Sequence, residues 1–257
     1  MAVNVTAYLD RIGVPRPAAA DAATLRALHR AHQTAVPFEN LAIHLGERIS
    51  LDPDDLFDKV VRRRRGGFCY ELNGLFAVLL EELGYAVTRV GARVYGEHRL
   101  GPPFDHLALL VSAGRDGTWL VDVGFGRHSS YPLRLADRGE QPDPGGRFRL
   151  ADADGGDLDV LRDGEPQYRI ERTPRQLSDF APTCWWQQTW PGSHFRRNPV
   201  CTRLDGDDRV TVSGRTLIRT SGSARAETAL ASDEQVLSAY RVHFGIELDR
   251  VPSPPQE

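Results

Sequence analysis

Lysine is almost missing from this sequence. Lys59 is the single one in 257 residues, and every other residue of the 32 Lys+Arg total is arginine. Cysteine occurs three times, as Cys69, Cys184 and Cys201. An odd and widely spaced set argues against a disulfide framework and for a reducing cytoplasm. No CxxC pair and no HExxH run is present, so no zinc or other metal site is expected. No apolar run approaches the roughly 20 residues that cross a bilayer. The segment MAVNVTAYLDRIGV lacks a basic stretch followed by an apolar one, so no signal peptide is expected. Neither charge sign dominates: 35 acids against 32 bases leave −3, too little to recruit nucleic acid or an anionic membrane. A hydrophobic fraction of 40% with 26% charged residues excludes intrinsic disorder. The length fits one large or two to three small domains, and no internal repeat is visible.

What is present changes period along the chain. Val5, Tyr8, Leu9 and Ile12 recur at helical spacing between Asn4, a candidate N-cap, and Gly13. A second helix is predicted from near Asp21 to Gln33, with Leu25, Leu28 and His32 on one face. Asp52-Pro53 opens a third, which carries Leu56, Phe57, Val60 and Val61. The clearest follows Gly66-Gly67, where Leu72, Leu75, Phe76, Leu79, Leu80 and Leu83 form a stripe that Gly84 closes. Short β-prone runs follow at 87–95, 105–111, 118–123, 147–150, 158–162 and 167–171. The Gly-, Pro- and Asp-rich stretch 139–156 reads as an exposed loop. A hairpin is predicted over 209–212 and 216–219. Ser232 with Gln235 then opens a last helix that Gly245 ends, before a frayed VPSPPQE tail. Helices, then strands, then a mixed tail give an α+β chain without βαβ alternation.

Cys69 is the chemical focus. It stands two residues after Gly-Gly, at the start of the leucine-striped helix. Free N–H groups and the positive end of the helix dipole favour a thiolate there, and the glycines permit a sharp turn before the sulfur. Read alone, Cys69 is equally a small buried hydrophobe, and only a base decides between the two. The candidate base is His106 in FDHLALLV, and the candidate orienter is Asp122 in WLVDVGFG. AGRDG is a turn between two strands. If Ser112 pairs with Thr118, Ala108 falls opposite Asp122, and His106 becomes a diagonal neighbour on the same face. Diagonal neighbours lie roughly 7–8 Å apart, within reach of a His–Asp hydrogen bond. A slip of one residue breaks this. An aspartate inside an apolar strand needs a partner. A thiol at a helix start, a base and an orienter support acyl transfer through a thioester, without specifying the acyl group or its acceptor.

RGGFCYELNGLF, FDHLALLV and VDVGFG resemble three signature segments of the arylamine N-acetyltransferase family. YLDRIG and LHRAHQTAVPFENL resemble it too, in order and spacing. The likeness is strong over about the first 130 residues and looser beyond. It implies a helical bundle over 1–85 carrying the nucleophile and a β-barrel-like domain over 86–185 carrying the histidine and aspartate. An α/β lid over 186–257 completes that fold, with the triad arranged as in papain. It implies acetyl transfer from acetyl-CoA, by a ping-pong route, to arylamines, arylhydroxylamines or hydrazines. Cys69 becomes the nucleophile, His106 the base and Asp122 the orienter. Phe38, Val94, Phe125 and Phe195 line the acceptor pocket.

The other signals are weaker. Gly124 and Gly126 can bring backbone N–H groups near a pyrophosphate, or form a plain turn. Arg62, Arg63 and Arg64 read as a solvated helix end, and Arg65 as a partner for Glu39. Cys184, Trp185, Trp186 and Trp190 read as core packing, with a stacking surface as the alternative; Cys184 and Cys201 lack the glycine-helix context of Cys69. Two relatives of the leading reading stay open on the same triad. One is an amide synthase acting on a carrier-bound polyketide thioester, and the other a cysteine hydrolase. A binding module with an inert thiol is the third alternative. The natural acceptor, the acyl length and the oligomeric state are open.

Overall fold

The computed structural model describes residues 3–96 and 99–255. Helices come first. α1 (Val5–Ile12) is capped by Asn4, whose side chain accepts the Ala7 N–H at 3.0 Å. α2 (Ala22–Ala35) is capped by Asp21, which accepts from Thr24 at 2.8 Å. After β1 (Phe38–Glu39) and α3 (Leu41–Leu45), α4 (Pro53–Phe57) starts on the Asp52-Pro53 pair. It runs into a π-helical turn over Asp58–Arg62. α5 (Cys69–Glu82) is the central rod: Leu72, Leu75, Phe76, Leu79 and Leu80 are wholly buried, and so are Tyr70, Asn73 and Ala77. A helix covered on all sides has no solvent face to mark it, so the stripe describes only part of its contact.

β2 (Ala86–Val94), β3 (His106–Ser112), β4 (Thr118–Val121) and β5 (Leu133–Arg134) follow. Then come β6 (Gln141–Asp143), β7 (Gly146–Asp152), β8 (Leu158–Arg162) and β9 (Glu165–Arg175). Among the described residues these form one antiparallel sheet in the order β5-β4-β3-β2-β9-β8-β7-β6. Its two edges are brought together by Gln141. The side-chain Oε1 accepts the Arg134 N–H at 2.7 Å and the Nε2–H donates to the Arg134 carbonyl at 3.1 Å. The sheet is therefore barrel-like, and Val90, Ala108, Phe148, Val160, Tyr168 and Ile170 fill its interior.

α6 (Ala181–Thr189) and α7 (His194–Arg197) lead to β10 (Val200–Asp205), β11 (Asp208–Ser213), β12 (Thr216–Ser221) and β13 (Ala224–Ala229). α8 (Asp233–Phe244) closes the chain, with the Ser232 hydroxyl accepting from Gln235. The second sheet runs β1-β10-β11-β12-β13, so Phe38 pairs with Thr202 and the N-terminal part supplies its first strand.

Four expectations change. The stretch 139–156 holds β6 and β7, with Phe148 and Leu150 wholly buried; its turn residues punctuate a hairpin whose short strands they hide. The tail is anchored: Pro252 is buried and the Ser253 N–H lies 3.4 Å from the His44 carbonyl, while Gln256 and Glu257 lie outside the described residues. Core packing holds for Cys184, but Trp185 is 65% and Trp190 44% exposed, with Trp190 stacked on Trp186 at 4.5 Å. The turn before Cys69 is made by Arg64, whose φ is 55°, and Gly66 and Gly67 serve close approach instead. A Cβ on Gly66 would sit 1.9 Å from the Pro37 carbonyl oxygen, and one on Gly67 2.7 Å from Glu71.

Candidate active site

Cys69 is the first residue of α5, and its position is held from behind. The Phe68 N–H donates to Glu71 at 3.2 Å, and Glu71 meets the Lys59 ammonium at 2.6 Å. The one lysine is thus buried in an ion pair under the helix start. Alongside, Arg65 Nε donates to Glu39 Oε1 at 3.0 Å, as expected, and also reaches Glu47. Arg62 and Arg63 are solvent-exposed and pair with Asp58.

The β3–β4 register follows Ser112 opposite Thr118, through Leu109 opposite Val121. The ladder stops one residue short of Asp122, yet the side chains meet: His106 Nε2 lies 2.7 Å from Asp122 Oδ2. Cys69, His106 and Asp122 are 3%, 2% and 2% exposed. The Asp122 carboxylate also accepts from Tyr168 Oη at 3.0 Å, Asn73 Nδ2 at 2.8 Å and the Gly124 N–H at 3.0 Å. Burial pushes its pKa up, but His106, His128 and Asn73 outweigh that and hold it well below the usual carboxylate range. Burial pushes the Cys69 thiol up, with partial relief from the Leu107 N–H. Burial thus works against the thiolate that the helix dipole favours.

Cys69 and His106 open onto one cavity of about 300 Å³. Phe38, Val94, Phe125, Phe195 and Gly124 line it as well, while Asp122 sits behind His106 and Gly126 is not among the lining residues. Phe125 meets the His106 ring edge-on at 5.2 Å, and Phe195 meets Phe68 edge-on at 5.2 Å. Gly124 is required by space. A Cβ there would lie 2.8 Å from both Cys69 Cα and Asn73 Nδ2. Its N–H is committed to Asp122 and is not free for an anion. Gly126, at φ 85°, leaves room for the Phe38 ring.

Several contributors escaped the sequence reading. Asn73 is one turn after Cys69, and its amide ties the Leu107 carbonyl at 2.6 Å, Asp122 and the Val123 N–H together. A polar residue on a leucine-rich helix was the available signal. Tyr168 carries none, because β9 reaches the site only through its long-range pairing with β2. Asn40, Asp105 and His194 also line the cavity. His29 Nε2 accepts the Asp122 N–H at 3.3 Å, which leaves its proton on Nδ1 facing the Ser130 carbonyl. Among the described residues no cluster of three or more His, Cys, Asp or Glu could hold a metal ion, and no helix is long and apolar enough to cross a membrane.

The N-acetyltransferase family model matches residues 21–252. A curated arylamine N-acetyltransferase of Mycolicibacterium smegmatis is 38% identical, over 96% of this chain and 94% of that protein. The chain belongs to the arylamine N-acetyltransferase family. It is accordingly a transferase. The curated Escherichia coli K12 arylamine N-acetyltransferase is 34% identical, over 94% of this chain and 88% of its own length. The solved M. smegmatis arylamine N-acetyltransferase superposes with a TM-score of 0.89 at 37% identity, covering 96% of this chain and 93% of that one. The Mycobacterium marinum arylamine N-acetyltransferase solved in complex with CoA gives 0.87 at 34%, covering 95% and 93%.

Proposed function

We propose that this acetyltransferase moves an acetyl group from acetyl-CoA, through a thioester on Cys69, to an arylamine, arylhydroxylamine or hydrazine. The observation that carries it is the relay of a helix-start thiol and a histidine on one cavity, with that histidine bonded to a buried aspartate at 2.7 Å. The relatives' names and the CoA complex of one of them support the donor and the acceptor class.

In the first half-reaction the Cys69 proton passes to His106 and the sulfur attacks the thioester carbonyl. The C–S bond to CoA breaks, and CoA leaves as its thiol with a proton returned by His106. Asp122, held ionised by its donors, stabilises the imidazolium in between, a papain-like division of labour. In the second half-reaction a neutral amine attacks the acetyl-Cys69 carbonyl, His106 takes the amine proton, and the thiol is restored. Phe38, Val94, Phe125 and Phe195 supply an apolar wall for the acceptor. Gly124 and Gly126 keep the loop after Asp122 packed against Cys69 and Phe38, which is where the donor's arm would pass. Residues 1–85, 86–185 and 186–257 are the proposed helical, barrel-like and lid domains. The three unpaired cysteines support a cytoplasmic enzyme.

An aromatic wall favours flat rings by roughly 0.5–1.5 kcal/mol beyond area burial. An alkylamine, with a pKa near 10.4, is almost wholly charged at pH 7 and must first lose a proton. The test has two parts. Intact mass should rise by one acetyl on incubation with acetyl-CoA and not in Cys69→Ala. The kcat/KM of an aromatic amine or hydrazide should then exceed that of an alkylamine. Turnover by Cys69→Ala, or equal turnover of the alkylamine, overturns the proposal. Activity seen only with a carrier-protein thioester would assign an amide synthase instead.

A further inference from the structure

Among the described residues, Asp105 is the only carboxylate that lines the Cys69 cavity, and no lysine or arginine lines it. Among the described residues the rest of the wall offers no permanent opposing charge, and His106, which also lines it, is paired with Asp122. Phe38, Phe125 and Phe195 are apolar. Asn40 is spent: its amide donates to the carbonyls of Phe195 at 2.8 Å and Asn198 at 3.0 Å, and its oxygen accepts the Val200 N–H at 2.7 Å. His194 is kept below the ordinary histidine range by burial and by Arg197. Arg196 and Arg197 follow Phe195 on α7 but do not line the cavity, and Arg93 directs its Nε–H to the Gly101 carbonyl.

The placement of Asp105 is over-determined. Phe104, just before it, has a φ of 60°, a left-handed conformation for a bulky side chain. The Tyr70 hydroxyl ties this turn by donating to the Phe104 carbonyl at 2.8 Å. Gln187 Nε2 donates to Asp105 Oδ1 at 2.8 Å, and the Ser193 hydroxyl fixes Gln187 by donating to its Oε1 at 2.7 Å. A Cβ on Gly101 would sit 2.3 Å from Asp105 Oδ2, so the glycine makes the space this carboxylate occupies. Burial pushes the Asp105 carboxyl up, and the Val94 N–H, His106, Gln187 and the Arg93 charge pull against that rise.

We propose that Asp105 selects acceptors by charge, admitting neutral and cationic aromatic amines or hydrazides and rejecting those with a carboxylate on the ring. This rests on the acyl-transfer reading of the same cavity. In a space of about 300 Å³ an anionic substituent cannot retreat far from Asp105, and screening inside it is weak. The donor escapes the same penalty, because its acetyl end is neutral.

The test pairs 4-aminobenzamide with 4-aminobenzoate, which share size and ring and differ by one charge. In the wild type the amide should have at least a tenfold higher kcat/KM. In Asp105→Asn the ratio should fall to within about threefold, chiefly by a gain with the benzoate. Taking the ratio within each protein cancels any effect of the substitution on thioester formation. Equal or reversed preference in the wild type, or an unchanged ratio in Asp105→Asn, overturns the assignment. If that variant fails to fold, Asp105→Ser is read by the same ratio: a fall to within about threefold supports the assignment, and an unchanged ratio overturns it. Acetylation of Cys69 is followed by intact mass in the same samples. Its absence would sink the acyl-transfer reading alone, and calorimetric affinities of the two amines for wild type and Asp105→Asn would then decide the role of Asp105 by the same ratios.

Discussion

Tyr168 and His106 share one oxygen of Asp122: the hydroxyl donates to Oδ2 at 3.0 Å and the imidazole Nε2 lies 2.7 Å from it. The carboxylate is thereby fixed from β9 as well as from β3. Its charge then matters more than its shape. Asp122→Asn keeps the shape and removes the charge that, in the proposed mechanism, stabilises the imidazolium. In serine-protease triads the corresponding change costs about 10⁴ in rate. Here the acetylation rate of Cys69 should drop far more than tenfold while circular dichroism stays native. A folded Asp122→Asn protein with near-normal kinetics would remove Asp122 from the relay.

Gly124 is predicted to tolerate no side chain. Gly124→Ala sets a methyl 2.8 Å from the Cys69 Cα. Overpacking of this kind costs about 1–3 kcal/mol, and a misplacement near 1 Å costs on the order of 10² in rate. Denaturant midpoints and the acetylation rate should both fall, the rate by more than tenfold. A variant with wild-type values in both would mean that the loop yields freely.

The Glu39–Arg65 pair should set part of the acid limit. Burial pushes the Glu39 carboxyl up, but Arg65, Lys59 and the Leu41 N–H bring it down from 4.5 to about 2. The folded value is depressed, so this stability is complete above about pH 4.5 and drains away as pH falls toward 2. Glu39→Gln leaves Arg65 buried with Glu47 alone and should cost about 3–5 kcal/mol at pH 7. It should also flatten the stability curve below pH 4.5. An unaltered acid slope in urea titrations would rule this out.

His32 should act in a higher window. Its ring is buried 4.9 Å from Phe76, neither nitrogen has a hydrogen-bond partner among the described residues, and burial with Arg11 nearby lowers its pKa to about 3. The unfolded chain takes a proton near pH 6.5 that the folded one refuses. Stability is therefore complete above 6.5 and falls by up to about 1.4 kcal/mol per pH unit below it. His32→Leu should reduce the slope between pH 6.5 and 5 by about one group. Slope will remain, because His128, lowered to about 4, and His29 behave alike. Identical slopes for His32→Leu and wild type would show that His32 is not titrating as a buried neutral ring.

The sequence by itself determined what depends on neighbours a few residues apart. Asn4, Asp52 and Ser232 cap the helices they were expected to open, because a cap needs only the next three residues. The AGRDG turn set the β3–β4 register, and with it the face shared by His106 and Asp122, because side chains alternate with period two. Only the tertiary structure decided what crosses long separations. Tyr168 reaches Asp122 because β9 pairs with β2, and Phe38 joins Thr202 because β1 completes the second sheet. The same holds for reasons that look local. Gly66, Gly67 and Gly124 read as turn residues, yet they are glycines because Pro37, Glu71 and Cys69 occupy the space a Cβ would need. Cys69 reads as a dipole-stabilised thiolate, yet burial of the thiol works against that charge. Packing density and desolvation are properties of the assembled interior, and no window of sequence contains them.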